Sequence, residues 1–511
     1  MLKYKHIMVA KISTVAPIGF DGAVVEVESD AKNGLPTIQI VGMGNKAVDE
    51  AKERVRSAIR NSLLDFPSKK ITINLAPAEL PKDGAQFDLP IALSILVVSG
   101  QLQQHEVEGA VFAGELALDG TLRAIKGAIN IAEAARRAGY KKLFLPTINA
   151  QQASLIDNIE VIGTTNLKQL FLHLKQESLI SPHIFDVTRT TKSSSLAPHL
   201  DDILGQEQAK RALVIATAGR HNILLNGPPG AGKTMLAKTL TNLLPDLTID
   251  EKIAATKLHS IAGEIDGNIL DERPFRAPHH TASQIALTGG GNKPRPGEIS
   301  LAHLGVLFLD ELPEYSRSSL EALRQPLEDK QIAISRANGR IVYPADFMLV
   351  ATMNPCPCGY YGDTVKECSC STSQILNYQR KLSGPLLDRI DLIVNVSRTP
   401  NDTLLVTHTE TKTQHANAKK DINQSILLQR NRYNSSIKYN GNLSSREIST
   451  SLSIDSAAKQ LLASATDKLH LSARSYFKII KVAQTIADLE QAPSIATHHI
   501  SEALQYRQQT T

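Results

Sequence analysis

The chain changes the period of its apolar residues several times, and each change predicts a different element. Segments 36–41 and 70–75 alternate apolar and polar residues and predict strands, whereas the spacing in Asn45–Asn61 predicts an amphipathic helix. Segment 89–100 is almost wholly apolar and predicts a buried helix, because it is too short to cross a bilayer. Strands and helices alternate throughout residues 1–170, so we expect an α/β domain there.

The remainder of the chain divides into three further parts. Residues 171–200 contain a Ser-Pro step, three consecutive serines and little periodicity, which is typical of a linker. Residues 201–398 return to short apolar strands between helices and predict a second α/β domain. Residues 399–511 are polar at first and then helical. Segment 408–440, which is rich in Ala, Lys, Gln and Asn, predicts an exposed helix in which Arg430 and Arg432 meet either DNA or solvent.

The strongest chemical motif is a loop between an apolar run and a helix. Its sequence is Gly, four residues, Gly, Lys and Thr, which matches the phosphate-binding loop (P-loop) of nucleotide-binding proteins. The glycines let backbone N–H groups turn toward a β-phosphate, Lys233 reaches the β- and γ-phosphate oxygens, and the Thr234 hydroxyl ligates Mg²⁺. The predicted ligands of ATP and Mg²⁺ are Gly227, Pro228, Pro229, Gly230, Ala231, Gly232, Lys233 and Thr234.

Two more apolar runs end in polar side chains that suit ATP hydrolysis. Segment 306–309 delivers Asp310, which would hold Mg²⁺ through water, and Glu311, which would position and polarise the attacking water. Segment 349–353 ends at Asn354, a candidate sensor of the γ-phosphate. An asparagine that simply ends a strand is the alternative for Asn354.

Residues 201–398 resemble the core of the AAA+ ATPases. The motif Leu-Leu-Asp-Arg-Ile-Asp resembles the segment that carries the arginine finger in this branch of the family, so Arg389 would stabilise transition-state charge in a neighbouring subunit. An intrachain pair between Arg389 and an aspartate is the alternative. Arg474 resembles the sensor-two arginine of the helical lid, acting within the subunit or across the interface, although arginines are also common at helix starts.

Two basic insertions bear on what such a motor would move. A glycine triplet followed by Lys293 and Arg295 suits a mobile basic loop that faces a phosphate backbone. Apolar alternation around an Asn-Gly pair predicts a hairpin over 331–344 with Arg336 and Arg340 near its tip. It resembles the pre-sensor hairpin that projects into the pore of hexameric helicases, and a solvated charged turn is the alternative.

The cysteines of the chain all lie in one short segment and form two Cys-x-Cys pairs. They are Cys356, Cys358, Cys368 and Cys370. Four thiolates in one loop could bind Zn²⁺ tetrahedrally, whereas the departure from the usual Cys-x-x-Cys spacing leaves reduced or redox-active thiols as the alternative. The adjacent histidines His279 and His280 also suggest a metal, but no third ligand follows at suitable spacing, so we favour hydrogen bonding for them.

The N-terminal domain resembles the Lon-protease-like domain of the ribosomal S5 domain 2-like type. Pro-Lys-Asp-Gly at 81–84 and Gly-Glu-Leu-Ala-Leu-Asp-Gly at 114–120 carry the resemblance. In Lon proteases a Ser lies two residues after the first of these motifs and a Lys follows the second. Here Gln86 and Ile129 occupy those places and cannot form a Ser–Lys pair. We therefore expect a scaffold without protease activity, either a hexamer organiser or a DNA-binding surface.

The order of the motifs resembles one family over nearly the whole chain, the magnesium-chelatase-like AAA+ proteins of the YifB type. Besides the motifs above, Arg-Pro-Phe-Arg-Ala-Pro-His-His and Asn-Pro-Cys-Pro-Cys-Gly carry the resemblance. It implies an AAA+ α/β core with a pre-sensor hairpin and a helix-2 insertion, followed by an α-helical lid. It also implies a homo-hexameric DNA helicase that promotes branch migration when transforming DNA is integrated, with single-stranded and branched DNA and the recombination machinery as partners.

Without the family resemblance, the residues predict only a ring-shaped ATPase with basic pore loops. A magnesium-chelatase motor subunit is the competing enzyme, and an ATP-dependent scaffold or switch that dispenses with Glu311 is the alternative without catalysis. The 511-residue chain has a net charge of +5, which leans toward anionic partners, and only 4% aromatic residues without Trp, so DNA would be held by charge rather than stacking. Because Lys11 interrupts the first apolar run, we expect no signal peptide, no membrane partner and a cytoplasmic protein.

Overall fold

A computed structural model of the protein describes residues 9–42, 45–80, 82, 84–185, 198–291, 295–336, 339–363, 365–398 and 413–507. These residues form a mixed α/β structure around a first sheet near the N-terminus and a second, all-parallel sheet, which confirms the predicted α/β class. Among the described residues, no helix is both long enough and apolar enough to span a bilayer. The predicted DNA-binding residue Lys293 and the side chain of Arg336 lie outside the described part of the chain.

The first sheet combines antiparallel and parallel pairing. Its strands, with a separate small hairpin β6–β7, are β1 (Ala10–Ile18), β2 (Asp21–Lys32), β3 (Thr37–Val41), β4 (Lys70–Ala76), β5 (Ala110–Phe112), β6 (Glu115–Leu116), β7 (Leu122–Arg123), β8 (Lys142–Pro146) and β9 (Glu160–Thr164). The order in the sheet is β3-β4-β2-β1-β5-β8-β9. Strands β1, β2 and β4 pair antiparallel, and β3, β5, β8 and β9 are added parallel to their neighbours. The strands predicted at 36–41 and 70–75 are confirmed as β3 and β4.

Helices pack against the first sheet and form two apolar cores with it. They are α1 (Asn45–Asn61), α2 (Asp88–Val98), α3 (Gln104–Val107), α4 (Ala128–Arg137), α5 (Thr147–Ala153) and α6 (Leu167–Leu174). The predicted amphipathic helix is confirmed as α1, and the predicted buried helix is α2. The Asp88 carboxylate on α2 accepts hydrogen bonds of 2.7 and 3.2 Å from the Arg54 guanidinium on α1, which ties the two helices together.

The second sheet is parallel throughout its order, β11-β14-β17-β10-β18. The strands of this part of the chain, including two small hairpins, are β10 (Ile223–Asn226), β11 (Phe275–Arg276), β12 (Gly289–Gly290), β13 (Arg295–Pro296), β14 (Val306–Leu309), β15 (Gln331–Arg336), β16 (Gly339–Pro344), β17 (Met348–Met353) and β18 (Leu392–Asn395). Every residue of β14 and β17 is buried, as their continuous apolar sequences predict for strands covered on both faces. Strands β15 and β16 form the predicted 331–344 hairpin.

Helices connect the strands of the second sheet. They are α7 (Glu207–Gly219), α8 (Lys233–Leu243), α9 (Ile249–Ala262), α10 (Gln284–Thr288), α11 (Glu298–Leu301), α12 (Arg317–Ala322), α13 (Arg324–Asp329), α14 (Thr372–Gln379) and α15 (Gly384–Leu387). Helix α8 begins directly at the end of the P-loop, and α13 ends one residue before β15. These two helices therefore fix the positions of the P-loop and of the base of the hairpin.

The C-terminal part of the described chain is helical. Its helices are α16 (Gln414–Tyr433), α17 (Ser445–Ser451), α18 (Ser456–Lys468), α19 (Ala473–Leu489) and α20 (Thr497–Gln505). The prediction that the polar stretch forms an exposed helix is wrong for one face of α16, where Ala418, Ile422 and Ile426 join the core around the second sheet. The Arg432 guanidinium pairs with the fully buried side chain of Asp488, so this arginine is not simply solvated.

The first sheet's helices pack directly on helix α9. The Lys257 ammonium on α9 pairs with Glu133 on α4 at 2.5 Å, and it also lies 3.8 Å from the ring centroid of Phe20. The Ser260 hydroxyl on the same face of α9 donates to Gln152 at 2.8 Å. A buried charge pair and a buried hydrogen bond cross this boundary, so the two parts of the chain are held at a defined angle.

Candidate active site

The P-loop runs from the end of β10 to the start of α8, and its glycines satisfy two different requirements. Gly230 and Gly232 have φ of 78° and 81°, a left-handed conformation that favours glycine. A Cβ atom on Gly227 would overlap the carbonyl oxygen of Val396, so here the requirement is close approach of two backbones. The loop can therefore present its backbone N–H groups at the N-terminus of α8, where an anion is favoured.

Lys233 lies at the centre of the loop's polar contacts. Its Nζ donates to the carbonyl oxygen of Pro228 and to Oδ1 of Asn354, both at 3.0 Å. Burial lowers the pKa of Lys233, and the nearby carboxylates of Asp310 and Glu311 oppose that shift. Lysine, asparagine and both carboxylates thus converge at the carboxyl edge of the second sheet, as their positions after parallel strands predict. Thr234 follows in the first turn of α8 and is exposed.

Asp310 and Glu311 share one hydrogen-bonding partner, Thr352. The Thr352 hydroxyl on β17 donates to Asp310 Oδ1 at 2.5 Å and accepts the backbone N–H of Glu311 at 3.0 Å. Glu311 has φ 52° and ψ 53°, a left-handed conformation that is uncommon for a residue with a Cβ atom. Thr352 was not among the predicted site residues, because a threonine inside a buried strand has no sequence pattern that marks it as functional.

Arg389 lies at the opposite end of the strands of the second sheet, where the strands begin. It precedes β18, which runs parallel to β10 with Leu392 opposite Ile223. The Asn222 side chain, just before β10, donates to the carbonyl oxygen of Arg389 at 2.8 Å. The P-loop, Asp310 and Asn354 all follow their strands, whereas Arg389 comes before its strand, so the structure does not bring Arg389 together with the other predicted site residues of its own chain.

The Arg389 side chain is largely buried and pairs with Glu328 on α13. An intrachain ion pair was the alternative foreseen for this arginine, although the partner is a glutamate rather than an aspartate. Arg474, near the start of α19, has Nη2 3.6 Å from the same Glu328 carboxylate and stays exposed. The two predicted arginines are therefore neighbours of each other.

The cysteine loop between β17 and α14 brings its four thiols together. The Sγ atom of Cys356 lies 3.4 Å from that of Cys358 and 3.6 Å from that of Cys368, and all four sulfurs lie within 4.8 Å of one another. Tetrahedral zinc with Zn–S bonds of about 2.3 Å requires S···S separations of about 3.8 Å, so this spacing fits the ion. Backbone N–H groups of Cys358 and Tyr361 also point at sulfur atoms, which suits thiolates.

Two of the candidate DNA-binding residues lie in the described part of two adjacent hairpins. Arg295 on β13 and Arg340 on β16 are exposed. The hairpins touch, since a Cβ atom built on Gly289 of β12 would lie 3.2 Å from Cδ1 of Ile334 on β15. The nearby His279 bonds through Nδ1 to the Thr281 hydroxyl at 2.8 Å, in keeping with a hydrogen-bonding role.

Comparison with known proteins identifies the family to which the chain belongs. Profile models described as magnesium chelatase, subunit ChlI, as subunit ChlI of Mg-chelatase, and as magnesium chelatase, subunit ChlI C-terminal match residues 199–404, 27–149 and 412–507, respectively. The competence protein ComM of Haemophilus influenzae is 43% identical over 96% of this chain and 96% of its own. The uncharacterized protein YifB of Escherichia coli is 41% identical over 97% of this chain and 96% of its own.

A more distant similarity reaches the chelatases themselves. The magnesium-chelatase 67 kDa subunit of Chlorobaculum tepidum is 27% identical over 156 residues, which make up 30% of this chain and 23% of its own. The nearly complete coverage by ComM and YifB contrasts with this partial match. The chain belongs to the ComM/YifB family of magnesium-chelatase-like proteins, within the AAA+ ATPases.

Proposed function

We propose that this chain is the subunit of an ATP-driven DNA motor, a hexameric helicase that promotes branch migration while transforming DNA is integrated by homologous recombination. The observation that carries the proposal is the pair of touching hairpins, with exposed Arg295 and Arg340, on an ATPase core. Adjacent basic loops suit a phosphate backbone, and they do not need to read bases. The similarity to a protein named as a competence protein supports the biological setting.

In the proposed hydrolysis, each residue at the carboxyl edge of the second sheet has one task. Lys233 neutralises the β- and γ-phosphates, Glu311 orients and polarises water, and Asn354 contacts the γ-phosphate. Thr234 and Asp310 would hold Mg²⁺, which when bound neutralises charge on the phosphate oxygens. The hydrogen bond between Lys233 and Asn354 supports this grouping, because it joins the phosphate-binding and sensing residues directly.

The proposal requires a second subunit to complete each site. A four-residue strand such as β18 is about 13 Å long, so an arginine before the strand cannot reach a phosphate bound after it. Arg389 and its neighbour Arg474 would instead act on the nucleotide of an adjacent subunit, as an arginine finger and a sensor acting across the interface. Head-to-tail contacts of this kind generate rings when the rotation closes. The hexamer is part of the proposal.

We propose the domain limits predicted above as the functional division of this motor. Residues 1–170 would form the Lon-protease-like domain, 171–200 the linker, 201–398 the AAA+ core and 399–511 the helical lid. Helix α6 continues to Leu174, four residues past the first limit, and its last residue still packs in the N-terminal core. Ile129 is fully buried on α4, which supports a scaffold without a protease dyad.

We also propose that the cysteine loop binds zinc as a structural ion. The fit of the four sulfurs to a tetrahedral site and the N–H groups directed at them support zinc over isolated thiols. The loop begins two residues after Asn354, and Gly359 within it lies against Pro229 of the P-loop. A bound ion would therefore brace a wall of the nucleotide site.

The test is ATP hydrolysis by the full chain without DNA, with single-stranded DNA and with a four-way junction, together with branch migration of that junction. We expect DNA to stimulate hydrolysis and DNA binding to weaken as salt rises. Glu311→Gln should bind ATP and DNA but hydrolyse ATP at least about a hundredfold more slowly, because it cannot polarise water.

Matched charge reversals test the hairpins. Arg295→Glu combined with Arg340→Glu should abolish DNA stimulation, whereas Arg123→Glu, at an exposed position on β7, should not. Hydrolysis that ignores DNA, together with no salt-sensitive DNA binding, would exclude the helicase. A Glu311→Gln variant that supports every activity of the unchanged protein would instead indicate a switch that does not depend on hydrolysis.

A further inference from the structure

The two candidate arginines meet on one carboxylate. Glu328 lies in the last turn of α13, and its carboxylate pairs with Arg389 and lies 3.6 Å from Nη2 of Arg474. The Glu328 side chain is 50% exposed and that of Arg389 only 10%, so the pair sits at the surface with Arg389 on its inner side. This contact joins the segment before β18 to the lid helix α19 through a third element.

The lid helix holds the Arg389 segment by a second contact. Lys478, one helical turn after Arg474, donates through Nζ to the carbonyl oxygen of Ile390 at 2.9 Å and to that of Leu387 at 3.4 Å. Residues four apart lie on the same face of a helix. One face of α19 therefore carries both residues. Lys478 binds the backbone around Arg389, and Arg474 lies near the Arg389 side chain.

Two guanidinium groups this close repel each other unless an anion lies between them. Glu328 supplies that anion, and the hydrogen bond from Arg389, followed by the charges of Arg389 and Arg474, lowers the pKa of its carboxyl group. Both guanidinium groups approach the same carboxylate oxygen, Oε1, so its negative charge attracts both of them to one point. A neutral side chain of the same shape would leave the two cations free to separate.

Glu328 is also placed at the base of the hairpin that carries Arg340. Helix α13 ends at Asp329, and Lys330, which follows, pairs with Asp346 at 3.1 Å across the foot of the hairpin. A shift of Glu328 would therefore be transmitted through two residues of chain into β15.

We propose that Glu328 is a positioning residue that holds Arg389 and Arg474 as one unit for the nucleotide of the neighbouring subunit. The inference rests on the proposed action of these arginines across the interface. The Glu328 carboxylate sets the distance between the two guanidinium groups and does not touch the nucleotide. Through α13, the same carboxylate connects the state of the neighbour's nucleotide to the hairpin.

Complementation between subunits tests this role. Lys233→Ala subunits cannot use their own P-loop but keep their arginines, whereas Arg389→Ala subunits keep the P-loop and lack the finger. Mixtures of the two should hydrolyse ATP although neither does so alone. With Glu328→Gln added to the Lys233→Ala donor, the activity of the mixture should fall about tenfold, and Glu328→Asp in the same donor should restore part of it.

Glu321→Gln in the Lys233→Ala donor is the matched control. Glu321, on helix α12, pairs with Arg324 at the start of α13, and neither Arg389 nor Arg474 is among its described partners, so this donor should complement fully. As a second measurement, Glu328→Gln alone should lower kcat about tenfold and leave the KM for ATP unchanged, because a positioning residue acts after binding. A purely structural defect would change KM and thermal stability as well.

The outcomes separate the two levels of the proposal. If the Glu328→Gln donor complements as well as its parent, the positioning role is wrong while the action of the arginines across the interface stands. If the Lys233→Ala and Arg389→Ala subunits co-assemble but never complement, Arg389 does not act on a neighbour. That result would overturn the proposed interface and, with it, the role of Glu328.

Discussion

At the scale of single residues, Glu311 combines a catalytic assignment with an unfavourable backbone conformation. A left-handed residue with a Cβ atom costs about 1–2 kcal/mol and persists only when its surroundings fix it. The backbone N–H of Glu311 is held by the Thr352 hydroxyl, which also binds the Asp310 carboxylate. Thr352 therefore sets the orientation of both acidic residues at the end of β14.

Replacing Thr352 by valine should separate positioning from binding. Valine has nearly the same shape, but it removes the hydroxyl that fixes Asp310 and Glu311, so we expect turnover to fall about tenfold or more while ATP still binds. Steady-state hydrolysis and nucleotide titration on the same sample measure the two effects. Thr239→Val is the control, because in the described part of the chain the Thr239 hydroxyl donates to the carbonyl oxygen of Met235, in its own helix. Equal losses in both variants would contradict the assigned role.

The sequence could identify residues whose position alone suggests chemistry. Asp310, Glu311 and Asn354 stand directly after apolar runs, and parallel strands bring such residues to one edge. Thr352 and Glu328 could not be found in this way, because each acts through contacts between segments far apart in the chain. One lies inside an apolar strand, and the other is one of several charged residues on a short helix.

At the scale of elements, the cysteine loop packs against the P-loop. Gly359 has φ of 87°, and a Cβ atom there would lie 2.6 Å from Cδ of Pro229 in the P-loop. The loop is also anchored at its far side, where the Asp363 carboxylate, nearly fully buried, pairs with Arg398 at 3.1 Å. A change in the cysteine loop should therefore alter the affinity for ATP.

Gly359→Ala should weaken ATP binding through this contact. The new methyl group would push against Pro229 and displace the P-loop backbone that receives the phosphates, and a loss of about 1 kcal/mol of binding free energy corresponds to a KM for ATP raised about fivefold. Gly362→Ala is the control, because Gly362 also has a left-handed φ, of 77°, but has open space where a Cβ atom would lie. A similar KM in the two variants would show that backbone strain, rather than contact with the P-loop, is responsible.

Metal content tests the same loop by a different property. We expect about one zinc per chain in purified protein and thiols that react only after unfolding, because thiolates bound to zinc are protected. Cys358→Ser combined with Cys368→Ser should lose the metal, whereas Ser369→Ala, between two of the ligands, should retain it. Folded protein without zinc, in which all four cysteines titrate, would contradict the proposal.

Elements with strong periodicity were predictable, and those with mixed composition were not. Helix α1 follows its sequence pattern from Asn45 to Asn61, because an amphipathic spacing reports directly on burial. Helix α16 is rich in polar residues, yet it buries Ala418, Ile422 and Ile426 along one face. Its charged and amide side chains hid that narrow apolar stripe in the sequence.

At the scale of the whole molecule, the N-terminal part and the ATPase core are bound to each other on two elements. Lys257 and Ser260 attach α9 to the first sheet's helices, and the Ile341 side chain on β16 contacts Gly19 in the turn between β1 and β2. The β15–β16 hairpin, which is proposed to contact DNA, therefore packs against the N-terminal part. Sequence motifs predicted both parts but not this joint, because its residues have no shared pattern.

The P-loop and Arg389 lie at opposite ends of the strands of the second sheet, and this placement determines how activity depends on the number of subunits in a cell. In the proposed assembly, every junction between subunits finishes one site, and an open row of subunits always leaves one site unfinished at its end. Only closure of the row makes the number of working sites equal to the number of subunits. Activity should therefore depend on gene dosage more steeply than in proportion. A cell with too few copies would hold ATP bound to scattered subunits without hydrolysing it.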